Sequence, residues 1–209
     1  MNEHSFIFAP IIMRTRDEHK IGTIRKKAIE MIVNEGFDGL SMQKLAKAAD
    51  VSPATIYIYF KDRDDLILQL FIEESAKMAE ATLKNFDPEM SFEEGLRVQW
   101  FNRVKYCLKY PQQAHFMEQI RFSPFHDIAF KNMNTSFITV MSTFVHNAIK
   151  RKELVKLPIE VYWSMAFAPL YQLLKFHMSG RGMLYGGKFT LDEKVMEQTL
   201  KLVIKALQP

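Results

Sequence analysis

Apolar residues recur along this chain at three- and four-residue intervals, and no segment alternates with the period of two that a half-buried strand needs. The first stripe is Ile21, Ile24, Ala28, Met31 and Ile32, one face of a helix that begins near Lys20. Gly36 suits the left-handed residue after a helix end, and Phe37 can fold back on that helix. Met42, Leu45, Ala46 and Ala49 form a second, shorter stripe behind Ser41, a good N-cap. The break Asp50-Val51-Ser52 then leads to Pro53, which opens a short helix to Phe60 with Ser52 as its cap. Asp62 and Asp65 resemble a capping box for a long helix that carries Leu66, Leu70 and Phe71 towards Leu83.

The same period continues to the end of the chain. It predicts a helix over 91–110 with Phe92, Leu96, Trp100, Val104, Cys107 and Leu108 inward, and a short one from Pro111 with Ala114, Met117 and Ile120. A single stripe over 125–151 runs Phe125, Ile128, Met133, Phe137, Met141, Phe144 and Ala148. Pro158 opens a further helix with Tyr162, Met165, Ala166, Leu170, Leu173 and Leu174, and Pro169 inside it should kink it. Residues 179–189 hold Gly180, Gly182, Gly186 and Gly187 and read as a loop, and Leu191 to Leu207 close the chain as a helix. The fold class is therefore all-α, with about nine helices and no internal repeat.

Composition narrows the class. Of 209 residues, 48% are apolar, which excludes a disordered chain, and 8 Gly with 8 Pro disfavour a turn-rich all-β fold. The single cysteine, Cys107, cannot form an internal disulfide and fits a reducing compartment. The apolar run Phe6–Met13 follows an acid, Glu3, and is broken by Pro10, unlike a secretory signal. No stretch reaches the ~20 apolar residues that span a bilayer, so a cytoplasmic protein is expected. The run itself has no account beyond Met13 being the true start. Met 13 and Phe 17 are high counts for this length.

Two short helices joined by a three-residue turn form a helix-turn-helix. Ala46 and Ala49 are small enough for a close crossing, Val51 and Ile56 fill the space between the helices, and one side of 53–59 stays free for a major groove. Ser41 and Ser52 set helix N-termini where backbone N–H groups can hold phosphates. Residues 20–63 carry eight basic residues against five acidic ones, so +3 of the chain's net +4 lies there.

Residues 20–66 resemble the DNA-binding region of the TetR family of transcriptional regulators. The resemblance lies in Ile24, Ala28, Gly36-Phe37, Ser41-Met42, Leu45-Ala46, Ala49-Asp50-Val51-Ser52, Thr55-Ile56-Tyr57, Tyr59-Phe60 and Asp62–Leu66. Two positions depart from the family pattern: Asp50 stands where Gly is usual, and Tyr59 where His is frequent. The resemblance implies that Pro53 and Ala54 form the groove-entering tip and that Tyr57 bonds phosphate, although a packing role for Tyr57 is the alternative. It makes Thr55, Ile58 and Tyr59 the candidates for base edges or thymine methyls. Lys61 and Arg63 would clamp the backbone, with Gln43 and Lys44 meeting phosphates beside Ser41 and Ser52. Arg14 and Arg16 would sit in an N-terminal tail, 1–19, as a minor-groove arm or simply as disorder.

The resemblance further implies a DNA-binding domain over 20–65 and a ligand-binding and dimerising domain over 66–209. The last two long helices would pair with their mates in a homodimer, setting the recognition helices about 34–36 Å apart and requiring a palindromic operator. Trp100, Tyr106, Phe116, Met117, Met133, Phe137, Met141, Trp163, Phe167 and Tyr171 fall on helices that would enclose a pocket for a small hydrophobic ligand, unless they are plain core. Gln119, His115 or His177 would orient that ligand. The reading is a repressor released from DNA by the ligand. The alternative is a protein of this fold that acts through a protein partner without a small ligand.

An enzyme is not expected. Ser41-Met-Gln-Lys44 matches the S-x-x-K of penicillin-recognising enzymes, but Ser-Asp-Asn and Lys-Thr-Gly are both missing, and Ser41 is explained as a cap. The six histidines show no metal-ligand spacing, Gly186-Gly187 is a lone turn, and Cys107 on an apolar face reads as an inert thiol. Neither a metal nor a cofactor is called for.

Overall fold

The computed structural model describes residues 9–131, 135–183 and 186–209; for residues 9–16 and 130 it describes the backbone alone. Among these are ten α-helices and one short 3-10 turn, and no strand. Their order is α1 (Ala9–Glu35), the 3-10 turn Phe37–Gly39, α2 (Met42–Ala48), α3 (Pro53–Tyr59), α4 (Arg63–Leu83), α5 (Phe92–Lys109), α6 (Pro111–Arg121), α7 (His126–Lys131), α8 (Thr135–Lys150), α9 (Ile159–Ser179) and α10 (Glu193–Leu207). No described helix is long and apolar enough to cross a membrane.

Two boundaries differ from the sequence expectation. Helix α1 begins at Ala9, inside the segment read as a tail, so Arg14 and Arg16 lie on a helix rather than on an extended arm. Pro10 falls in the first turn, where its missing N–H is tolerated, and no later proline interrupts the helix. The one stripe expected over 125–151 is carried by two helices, α7 and α8, and residues 132–134 between them lie outside the described residues.

The described residues fall into two compact units. One lies within Met1–Glu74 and Gln112–Asn132, the other within Ser75–Pro111 and Met133–Pro209. Residues 112–132, counted above with the C-terminal body, thus pack with the N-terminal helices.

In the first unit the inward faces of α1 (Ile24, Ala28, Ile32), α2 (Leu45, Ala46), α3 (Ile56) and the start of α4 (Leu66, Ile67, Leu70) are buried, together with Phe60. Asp62 caps α4 by accepting from the Asp65 N–H at 2.8 Å, and the Asp65 carboxylate accepts in return from the Lys61 N–H at 2.8 Å. This variant of the capping box reaches one residue further back than the usual form.

In the second unit α5 packs on α8 and α9, and α10 packs on α9. Its core is aromatic: Phe92, Trp100, Phe144 and Phe167 are fully buried. Gly95 lets α5 pass so close to the Phe144 ring that a Cβ would collide with it. Ser91 and Glu94 complete a capping box at the start of α5. At the other end of α4, the Asn102 side chain donates to the carbonyls of Thr82 (3.0 Å) and Lys84 (2.7 Å).

Candidate nucleic-acid interface and interior site

The helix-turn-helix is built from caps. The Ser41 hydroxyl accepts from the Lys44 N–H at 3.2 Å, and the Ser52 hydroxyl from the Thr55 N–H at 3.2 Å. Between them Asp50 takes a left-handed conformation, φ 53°, and the Val51 N–H returns to the Ala46 carbonyl at 3.0 Å. Asp tolerates that region better than most side chains, so the departure from glycine leaves the turn intact. Ala46 and Ala49 are buried at the crossing of α2 and α3, Ile56 is fully buried, and Val51 is half-buried.

With Ile56 facing in, α3 presents its other side to solvent. Pro53, Ala54, Tyr57 and Ile58 are all exposed, Ile58 at 75% and Tyr57 at 54%. A packing role for Tyr57 therefore has no support. Thr55 is half-buried, its hydroxyl 2.9 Å from that of Ser52. Ser41, Gln43 and Lys44 on α2 and Lys61 beyond α3 are exposed, and Lys44 holds only a loose pair with Glu35 at 3.5 Å.

Two predicted contacts turn inward instead. The Tyr59 hydroxyl donates to Asp17 on α1; partial burial, and then that carboxylate, hold its phenol above the ordinary value. Arg63 donates from Nε to the Leu40 carbonyl at 3.0 Å and from Nη2 to the Phe37 carbonyl, with Nη1 on Asp64. It pins the 3-10 turn and the entry to α2 onto α4, which is the role of a staple. Its acceptors lie 26 and 23 residues back along the chain, where short-range patterns do not look.

The second unit holds a different kind of site. Trp100 is fully buried and donates its indole N–H to the Ala166 carbonyl at 2.8 Å. Trp163, Phe167 and Tyr171 follow at four-residue spacing on α9, forming one row. The Arg103 guanidinium lies over that row, 4.5 Å from the Phe167 centroid and 5.3 Å from that of Trp163, and its Nη1 donates to the Tyr171 hydroxyl at 2.8 Å. Desolvated contacts of this kind are worth about 2 kcal/mol. Arg103 is nonetheless only 2% exposed, and its Nε and Nη2 have no partner. The amide of Gln99, one turn earlier and fully buried, has no partner at either atom, and neither does the buried Tyr162 hydroxyl. Burial drives the Tyr162 phenol upward and lifts the Cys107 thiol to about 11, Arg103 opposing both shifts. Cys107 is thus a protonated core thiol.

Gln99 and Arg103 were missed in the sequence, although a signal existed. Leu96, Gln99, Trp100, Arg103 and Cys107 sit at offsets 0, 3, 4, 7 and 11, so the helical period itself places both polar residues on the inward face.

The predicted ligand set is divided between the units. Trp100, Tyr106 and Phe167 are buried in the second, where Trp163, Tyr171, Phe137 and Met141 are half-buried. Phe116 and Met117 belong to the first unit, and Met133 lies outside the described residues. The proposed orienting groups also sit elsewhere. His115 and Gln119 line a cleft of about 930 Å³ in the first unit with Phe37, Arg63 and Phe125, and Gln119 donates to the Val33 carbonyl at 3.3 Å. His177 Nδ1 accepts from the Leu191 N–H at 3.1 Å, which joins α9 to the segment before α10.

Comparison with known proteins bears on the interface. Residues 24–70 match the family described as bacterial regulatory proteins, tetR family. An uncharacterized HTH-type transcriptional regulator of Haemophilus influenzae is 33% identical over 138 residues, which cover 65% of this chain and 71% of the relative. The fatty acid metabolism regulator protein of Bacillus subtilis is 32% identical over 69 residues, 33% of this chain and 36% of that one. A TetR family transcription regulator from Marinobacter aquaeolei VT8 superposes with a TM-score of 0.70 at 25% identity, over 93% of this chain and 98% of the other.

Proposed function

The chain belongs to the TetR family of bacterial helix-turn-helix transcriptional regulators, and on that premise we propose that it is a homodimeric repressor released from a palindromic operator by a small, largely hydrophobic ligand. The observation that carries this reading is α3 itself. A seven-residue helix with Ile56 buried and Tyr57 and Ile58 exposed has no use for those apolar groups except against a partner. A major groove supplies one, with thymine methyls for Ile58 and a phosphate for the Tyr57 hydroxyl. Ser41, Gln43, Lys44, Ser52, Pro53, Ala54, Thr55 and Lys61 frame that contact.

Dimerisation is supported by α9 and α10. Val161, Met165, Ala168 and Gln172 fall at offsets 0, 4, 7 and 11 on α9 and are all exposed, and Leu202 is exposed on α10. Ligand sensing is supported by the aromatic interior of the second unit and by its unpartnered polar groups. The B. subtilis relative is named for fatty acid metabolism, and an acyl compound would suit such an interior.

Fluorescence anisotropy with the DNA upstream of the protein's own gene tests this reading. Binding should be saturable, weaken with salt and be lost on Tyr57→Ala. Failure to prefer that DNA over a scrambled duplex would sink it.

A further inference from the structure

We infer that Arg103, with Gln99 and Tyr162, forms a buried seat for the carboxylate of an otherwise apolar ligand, so that the body senses an organic acid rather than a neutral lipophile. This rests on the ligand-sensing reading above and narrows it to one head-group chemistry.

The charge is the starting point. Arg103 is 2% exposed, and no carboxylate of the described residues pairs with it. An arginine cannot escape burial by losing its proton, so a positive charge in this interior calls for a negative one. A second copy of the chain cannot provide it, because Arg103 is already enclosed within a single chain.

The geometry of what is left over is specific. The Tyr171 hydroxyl occupies Nη1, while Phe167 and Trp163 lie against the guanidinium. The free donors are Nε and Nη2, the two N–H groups that point the same way along one edge of the planar group. Two parallel donors of this kind match the two oxygens of a carboxylate. Gln99, one turn away on the same face of α5, keeps both a donor and an acceptor unused, and the Tyr162 hydroxyl is likewise unused. These groups do not satisfy one another, yet each is buried. They are complementary to something the polypeptide does not contain. Trp100 and Phe167 beside them fit an apolar remainder.

Calorimetric titration of the full-length protein with dodecanoate, dodecanol, dodecyltrimethylammonium and dodecyl phosphate tests the seat. Dodecanoate should bind about tenfold or more tighter than dodecanol, and the ammonium compound should not compete with it. Arg103→Met should equalise acid and alcohol, whereas Arg103→Lys, a charge without the fork, should restore only part of the preference. Without ligand, Arg103→Met should melt no lower than the parent, since it removes an unmatched buried charge. A lower melting temperature would make the guanidinium an internal brace and overturn the inference, as would an Arg103→Met protein that still prefers the acid. Equal affinity of the parent for acid and alcohol overturns the carboxylate seat but leaves the hydrophobic sensor standing. Tighter binding of dodecyl phosphate overturns it in favour of a phosphomonoester. Binding of no probe at all overturns both readings.

Discussion

The tip of α3 and the interior beside α5 invert the usual distribution of residues in opposite directions. On α3 an isoleucine is 75% exposed on a helix whose other face is packed; beside α5 an arginine is 2% exposed with two unpartnered donors. Each inversion is unfavourable for a chain considered alone, because exposed apolar area and unmatched buried charge both cost free energy. The difference lies in what would relieve each one. The exposed pair needs a surface large enough to cover a helix, whereas the enclosed groups need a ligand small enough to enter. On the proposed reading, one chain thus carries two incomplete surfaces matched to partners of different size.

The largest expected effect comes from reversing the first inversion. Ile58→Asp sets a carboxylate against phosphates and should weaken operator binding by more than about a hundredfold, which is roughly 2.7 kcal/mol, in anisotropy titrations. Its melting temperature should hardly move, since Ile58 is 75% exposed; a large drop would mean that Ile58 belongs to the core. Next is Arg63→Met, which separates a staple from a clamp. Removal of charged hydrogen bonds to the Leu40 and Phe37 carbonyls should cost about 2 kcal/mol in urea unfolding. Weakened DNA binding at unchanged stability would restore the clamp.

The smallest effect concerns pH and lies in the body. Burial raises the carboxyl of Glu153, but hydrogen bonds from Arg151 and the Phe92 N–H outweigh it and hold the pKa below the ordinary value. A depressed carboxyl contributes stability that is complete above its unfolded value of about 4.3 and fades as the pH falls through the folded one. Glu153→Gln should therefore lower stability slightly at neutral pH and flatten the acid limb, the variant and the parent converging as the pH falls below that range. An unchanged acid limb would count against this linkage.

The two regions also differ in how much of them the sequence reveals. The DNA-reading helices are specified by neighbours: Ser41, Asp50, Ser52, Pro53 and Asp62 act within four residues of themselves, so their caps and turn can be found by spacing. Arg63 escapes that logic because its acceptors come from a turn that only folding brings near. In the body, periodicity does place Gln99 and Arg103 inward, but charged residues so seldom face a core that the stripe reads as if they were absent. The ligand set suffered from a similar limit. Apolar spacing tells that Met117 faces inward, yet it does not say which unit it faces, and α6, with Phe116, belongs with the N-terminal helices.

The placement of the chain's two tryptophans has a practical consequence. Trp100 and Trp163 both lie in the second unit, one bonded to Ala166 and the other beside Arg103, while the first unit has tyrosine and phenylalanine but no indole. Indole emission from the native protein is therefore a reporter wired to one unit. Exciting it observes the interior around Arg103 directly, and docking at α3 only through what that docking changes in the second unit. An added lipophile that changes the emission at fixed DNA occupancy would give the timing of the two events without any attached dye.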